Sequence, residues 1–329
     1  MKHRLAAIAQ LLLGLALLAL VARHLDRSGE LQHLGAAFQS ALIRWPLLLL
    51  GFAGFGVCLF VCALRWQIIL RAQQFDLPFR RTTTLYLIGQ FFNAFMLGAT
   101  GGDLVKALYV ARETHHQKTE IVTSIFIERA FGLLAIIALA PLSMLLRRAE
   151  FWNHPGARVM LLIFAGLLLT TVVGLLVIFG GNRFEQLPFL RRLGKSHRIG
   201  DIIRRVYDAF HMTMRHRGLL TRAILLSALN HLAFVASACA FGHAAGLSLG
   251  VTGYLAAFFA INLASAIPIT PSGIGTRETA ALVLLGALGV PDAQAVTVSL
   301  MLYGTLLAWS LIGGIVYGIT AFRSQKPRS

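Results

Sequence analysis

From Ala223 to Thr276 the chain contains no Asp, Glu, Lys or Arg, and the run ends on two neighbours of opposite charge, Arg277 and Glu278. A stretch this long and this apolar folds only where water is excluded, since a single membrane-spanning helix needs about 20 such residues. It is not uniform, because its last part, Ile267 to Glu278, reads IPITPSGIGTRE. Pro268 and Pro271 have no amide hydrogen to donate and break a helix, and Gly273 and Gly275 take backbone conformations that other residues resist. Broken backbone at membrane depth survives only when buried in protein or lining a wet cavity. The sequence therefore predicts two helical arms, Gly253–Ile267 and Thr279–Val290, meeting at an irregular centre beside a charge pair. Membrane transporters build binding sites from such parts.

The rest of the chain agrees with that solvent. It is 57% hydrophobic and 13% charged, with mean hydropathy +0.72, against about 25% charged residues in a soluble domain. The predicted fold is an all-α, polytopic membrane helix bundle forming one integral membrane domain over 1–329. Its spans are Leu5–Ala22, Pro46–Leu64, Ala130–Leu146, Val159–Gly181, Ala223–Ala245 and Val296–Phe322. MKHR before Leu5 looks like the head of a signal peptide, but the apolar run is long and no clear small-residue cleavage site follows, so we read a retained helix. The net charge of +17 would suggest nucleic acid in a soluble protein. Here the basic residues lie between apolar runs, where they report topology and contact with anionic lipid. Cys58, Cys62 and Cys239 sit inside apolar helices and read as packing residues, so neither a disulfide framework nor a metal is expected.

Positive charge decides the topology. Arg65, Arg71, Arg80 and Arg81 follow the second span, and segment 183–222 carries ten Lys/Arg against three acids. If Thr82–Gly102 crossed fully, that segment would fall outside. If about 82–110 is instead a re-entrant hairpin, the segment and both termini fall in the cytoplasm, as the positive-inside bias asks. The hairpin's first arm is suitably polar, with Thr82, Thr83, Thr84, Gln90 and Asn93. It also parallels the second irregular hairpin, at about 253–290. YLIGQFFNAFMLGATGGDLVK from Tyr86 and YLAAFFAINLASAIPITPSGIGTRE from Tyr254 each read Tyr-Leu, Phe-Phe, Asn, a glycine-rich break and opposite charges. Two such hairpins entering from opposite faces form an inverted repeat. Within 183–222, Ile199, Ile202, Ile203, Val206 and Phe210 recur at helical spacing among arginines, either a helix lying on the anionic leaflet or a solvated helix packed on the bundle.

Six charged residues are the candidate site: Asp103, Lys106, Glu128, Arg129, Arg277 and Glu278. Asp103 and Lys106 follow Gly101-Gly102, where glycine lets amides approach an anion and Lys106 adds a point charge. An ordinary helix start, with Asp103 as N-cap, reads equally well. Unpaired charge near the bilayer centre costs about 2.5–3.5 kcal/mol, so cross-pairing is expected, either to build a polar chamber or only to lock helices. Asn93, Gly101, Gly102, Asn262, Thr270, Ser272, Gly273 and Gly275 are candidates to line it. His231 and His243 read as buried packing histidines before a proton relay, and His115-His116 lacks further ligands at metal spacing. No nucleotide loop, nucleophile elbow or H-E-x-x-H is present, so no catalytic residue and no cofactor is assigned.

Three blocks in order, GGDLVKALYV, IERAFGLLA and IPITPSGIGTRE, resemble those of the lysylphosphatidylglycerol synthase transmembrane region, or flippase-like domain family. Gly132 stands where many members carry an acid, and Ser272 where glycine is common. The resemblance implies a bacterial inner-membrane protein that handles lipids, with the six charges around a lipid headgroup: a flippase for an anionic or phosphate-bearing lipid such as a phospholipid, aminoacyl-phospholipid, hopanoid or polyprenyl-linked lipid. The family's soluble aminoacyl-transferase part is not expected here. The alternatives are an accessory subunit of a lipid or glycan synthesis enzyme, a small-molecule secondary transporter, and an intramembrane transferase.

Overall fold

The computed structural model describes residues 2–95, 101–114, 118–179 and 217–324. Every regular element among them is helical: α1 Lys2–Arg27, α2 Leu31–Ile43, α3 Trp45–Ala72, α4 Phe79–Phe95, α5 Gly101–Thr114, α6 Lys118–Met144, α7 Arg148–Asn153, α8 Pro155–Phe179, α9 Arg217–Ala244, α10 Val251–Ala266, α11 Thr276–Gly286 and α12 Asp292–Ser324. Among the described residues, six helices are long and apolar enough to cross a membrane, in the six regions read from the sequence. The next longest helices are shorter than the roughly 20 residues a crossing needs: α4 has 17 residues, α10 16, α5 14, α2 13 and α11 11. The segment 180–216, with its amphipathic pattern, and His115-His116 lie outside the described residues.

Three local expectations change. The loop expected between Arg23 and Arg44 contains α2. Arg65 does not end the second span, because α3 continues to Ala72 with Arg65 buried. Glu128-Arg129 does not stand at the mouth of a span but inside α6, which begins at Lys118. The last two share a cause: Arg65 and Glu128 neutralise each other, so neither helix has to stop to release its charge.

Small residues let the helices approach. Gly51 and Gly54 on α3 face Phe241 and Ser237 on α9, and the Ser237 hydroxyl donates to the Gly51 carbonyl at 2.6 Å. Cys58 and Cys62 continue this face, their thiols against the Asn230 carbonyl and the Asn230 side-chain oxygen. Apolar side chains give no advantage over lipid tails here, so close backbone packing supplies the attraction. The largest buried cluster draws on α6, α8, α9, α10, α11 and α12, with α10 at its centre, ten of its 16 residues buried.

The helices of both hairpins are braced close to where the chain reverses. In the first, a Cβ on Gly102 would lie 1.8 Å from the Gly89 carbonyl oxygen, and the Gly102 amide donates to the Asn93 side chain at 2.9 Å. In the second, Ser272, Gly273 and Gly275 have φ of +53°, +73° and +79° around a short turn at Pro271–Gly273. There α1 closes over the turn. Gln10 donates to the Pro268 carbonyl at 3.0 Å, and a Cβ on Gly275 would lie 2.7 Å from the Gly14 carbonyl oxygen.

Gly102→Ala should therefore lower stability by about 1–3 kcal/mol, the usual cost of overpacking, because backbone must move to admit it. Gly166→Ala on α8, where a Cβ meets nothing, should leave it unchanged or slightly higher. Thermal unfolding of the purified protein compares the two, and equal melting temperatures would contradict the packing described.

Candidate functional site

Contacts among the described residues join the six candidate charges into two groups rather than one. The first group is held by α3, α4, α5 and α6. Asp103 lies on the first turn of α5. Its Oδ2 accepts from Arg129 Nε at 2.5 Å, and its Oδ1 lies 3.0 Å from Lys106 Nζ, close enough for charge attraction though not aligned as a hydrogen bond. Lys106 is buried, with its ammonium 4.7 Å from the Tyr86 ring centre and 5.2 Å from that of Trp66. Electron-rich ring faces stabilise a desolvated cation. Trp66 is itself fixed by an indole hydrogen bond to Ser124 at 3.2 Å. Arg129 is different, its side chain 45% exposed.

Next to it, Arg65 Nη2 donates to Glu128 Oε1 at 2.5 Å and Arg65 Nη1 to the Ser227 hydroxyl at 2.8 Å, both ionic side chains being 4% exposed. Gly132, where relatives were expected to carry an acid, lies against this guanidinium: a Cβ there would be 3.1 Å from Arg65 Nη2. One turn further, the Gly132 carbonyl meets His231 Nε2 at 3.0 Å, and His231 Nδ1 meets Asn262 Nδ2 at 3.2 Å. Asn262 donates, so Nδ1 is the acceptor and Nε2–H donates to the carbonyl. That arrangement is a satisfied buried histidine linking α6, α9 and α10. His243 is exposed, its ring 5.5 Å from that of Tyr254.

The second group lies at the other hairpin. Both carboxylate oxygens of Glu278 are engaged, Oε2 by the Gly275 amide at 2.6 Å and Oε1 by the Ser299 hydroxyl at 2.8 Å. Glu278 thus caps α11 from its first turn, where negative charge also meets the positive end of the helix. Arg277 is 7% exposed, and its partners among the described residues are neutral: the Ser265 hydroxyl at 3.4 Å, the Ser272 carbonyl at 3.1 Å and the Tyr303 ring at 5.6 Å. Among the described residues no carboxylate lies within ion-pair distance of it.

The expected lining residues mostly brace these turns. Thr270 is buried with its hydroxyl 3.3 Å from that of Thr276, which donates to the Gly273 carbonyl at 2.9 Å. Gly273 packs on Ser265, Gly275 on α1, and Gly101 precedes the Gly102–Gly89 contact. The two groups share α12. The Leu87 carbonyl packs on Gly313, within a turn of Gly89 against Lys106, while Tyr303 faces Arg277. Tyr303 and Gly313 are ten positions apart on one helix, so the groups sit at levels separated by roughly 15 Å at 1.5 Å per residue.

Residues 7–314 match the family described as lysylphosphatidylglycerol synthase TM region. The chain belongs to that family. No curated protein and no solved structure matches it. The three family-like blocks now have places: GGDLVKALYV opens α5, IERAFGLLA runs through α6, and IPITPSGIGTRE makes the second turn and the start of α11. Arg65, Trp66, Tyr86, Ser227, Ser299 and Tyr303 complete these groups and lie outside the blocks. Only Arg65 carried a signal, a cation in an apolar run opposite a buried acid in need of one.

Removing one member of a buried ion pair leaves the other uncompensated. Arg65→Met should cost about 3–5 kcal/mol, and Arg65→Met with Glu128→Met should recover most of that loss. Denaturant unfolding in detergent decides it; a double variant no more stable than the single would mean that the pair is not what holds α3 to α6.

Proposed function

We propose that the protein moves an anionic, phosphate-bearing lipid across the membrane, with Arg277 receiving the headgroup phosphate. One observation carries this reading: among the described residues, the atoms touching a buried guanidinium at a broken helix turn are all neutral. Charge in an apolar surrounding is ordinarily paired, and the neighbouring acid, Glu278, is committed to the helix cap. A lipid phosphate would supply the missing negative charge. The planar guanidinium fork matches it, two donors to two oxygens.

Asp103, Lys106 and Arg129 form a second station for the same headgroup. Arg129 presents exposed donors, Asp103 orients them, and Lys106 adds a buried charge. Glu128 stays with Arg65 and holds the wall. A headgroup would step between stations at different levels while its apolar chains remain in the bilayer. In this reading the two hairpins are re-entrant, enter from opposite faces, and leave both termini in the cytoplasm of a bacterial inner membrane. Among the described residues, six helices able to span and the short helices α4, α5, α10 and α11 of the two hairpins are compatible with it.

The test is transport in liposomes containing a fluorescent phosphatidylglycerol. Wild type should move the lipid between leaflets. Arg277→Gln should slow it about 10- to 100-fold, the worth of a hydrogen bond to a charged group, and Arg277→Lys should fall between, since an ammonium keeps the charge without the fork. Equal rates for all three would remove Arg277 from the mechanism. No movement above protein-free liposomes by wild type would overturn the reading itself.

A further inference from the structure

On the outer face, away from both charge groups, a groove of about 320 Å³ runs between the second half of α6 and α8. Pro141, Leu145, Leu161, Ala165, Leu168 and Val172 line it, with no polar side chain among its lining residues. Pro141 lies inside α6, where a helix loses one hydrogen bond and bends. Beside the groove, α8 faces outward with Leu162, Ile163 and Val173 exposed.

The lining positions give the groove an approximate length, and one end is charged. Leu161 to Val172 covers eleven positions of one helix, roughly 16 Å at 1.5 Å per residue, about half of the ~30 Å hydrocarbon core. That is the depth of one leaflet. One turn before Leu161, on the same side of α8, stands exposed Arg158, its guanidinium 5.9 Å from the ring centre of Trp152, which is 51% exposed. Exposed tryptophan and arginine together mark the headgroup level. Arg148 is exposed on the connecting α7. The one acid nearby, Glu150, is paired with Arg147 at 2.7 Å, while Arg148 and Arg158 form no ion pair among the described residues.

We propose that this groove holds one acyl chain of an anionic phospholipid resident on the protein, with its phosphate between Arg148 and Arg158 and its headgroup beside Trp152. The site is separate from Arg277 in residues and in role: the lipid bound here stays, sealing the α6–α8 seam, and is not the one carried. The length of the groove selects a single chain from the leaflet at the α7 end, and the two arginines select negative charge over zwitterionic headgroups.

Native mass spectrometry of the full-length protein, extracted in mild detergent and titrated with phosphatidylglycerol or phosphatidylcholine of identical chains, tests this. Wild type should retain phosphatidylglycerol roughly thirtyfold more tightly, as two basic residues at a membrane surface give. Arg148→Gln with Arg158→Gln should remove most of that preference, and it should do so equally in the wild-type and the Arg277→Gln background, since the two sites are separate. Ala165→Phe, which fills the groove, should weaken both lipids. A phosphatidylglycerol with a photoreactive group at mid-chain supplies a readout that needs no variant: it should label the peptide containing Leu161–Val172 in wild type, in competition with unlabelled lipid. Equal retention of both lipids by wild type, labelling elsewhere, or loss of retention in Arg277→Gln but not in the arginine double variant would each overturn the proposal. The last result would place the lipid at the second hairpin and leave the transport reading standing.

Discussion

Away from water, a peptide group or a charge is answered inside the protein or it costs several kcal/mol. Among the described residues, three interruptions have a particular neighbour that answers them. Where Pro268 frees a carbonyl, Gln10 reaches across from α1. Where α11 begins with unpaired amides, Glu278 folds back on Gly275 and is held in turn by Ser299. Where α3 carries an arginine through its apolar run, Glu128 on α6 and Ser227 on α9 receive it. Such partners come from distant parts of the chain, so the broken hairpins and the straight helices depend on one another.

That dependence explains the division of labour among the charges. Glu128 and Glu278 look alike in sequence, each beside an arginine, yet both serve as anchors. Their neighbours Arg129 and Arg277 differ from them and from each other. Arg129 stands at the surface of its cluster with Asp103, and Arg277 lies buried with neutral partners. Lys106 is held by two aromatic rings as well as by a carboxylate that it shares with Arg129. An anion passing this region would meet cations of unequal exposure at two levels of α12.

Much of the architecture was legible from residue types. Six apolar runs gave six helices able to span, and the prolines and glycines of IPITPSGIGTRE gave a turn between two short arms, Val251–Ala266 and Thr276–Gly286, within a few residues of the expected bounds. Helix ends at charged residues were the weak point. Arg65 and Glu128 both lie inside longer helices, because a charge ends a span only when its counter-ion is water. α2 was missed for a related reason: the mixed sequence between Arg23 and Arg44 is short and lacks an uninterrupted apolar run, and its helix rests on packing against α12, α3 and α1.

Sequence by itself determined the solvent, the helical class, the places where helices must break and the family, since these follow from local composition, from missing amide donors and from short ordered motifs. It also selected the six charges worth attention. Only the tertiary structure decided which of them are spent on one another. Pairing is a matter of distance between helices remote in sequence, so nothing in Glu278 or Arg277 alone reveals that the carboxylate closes a helix cap while the guanidinium beside it lies among serines and a tyrosine ring.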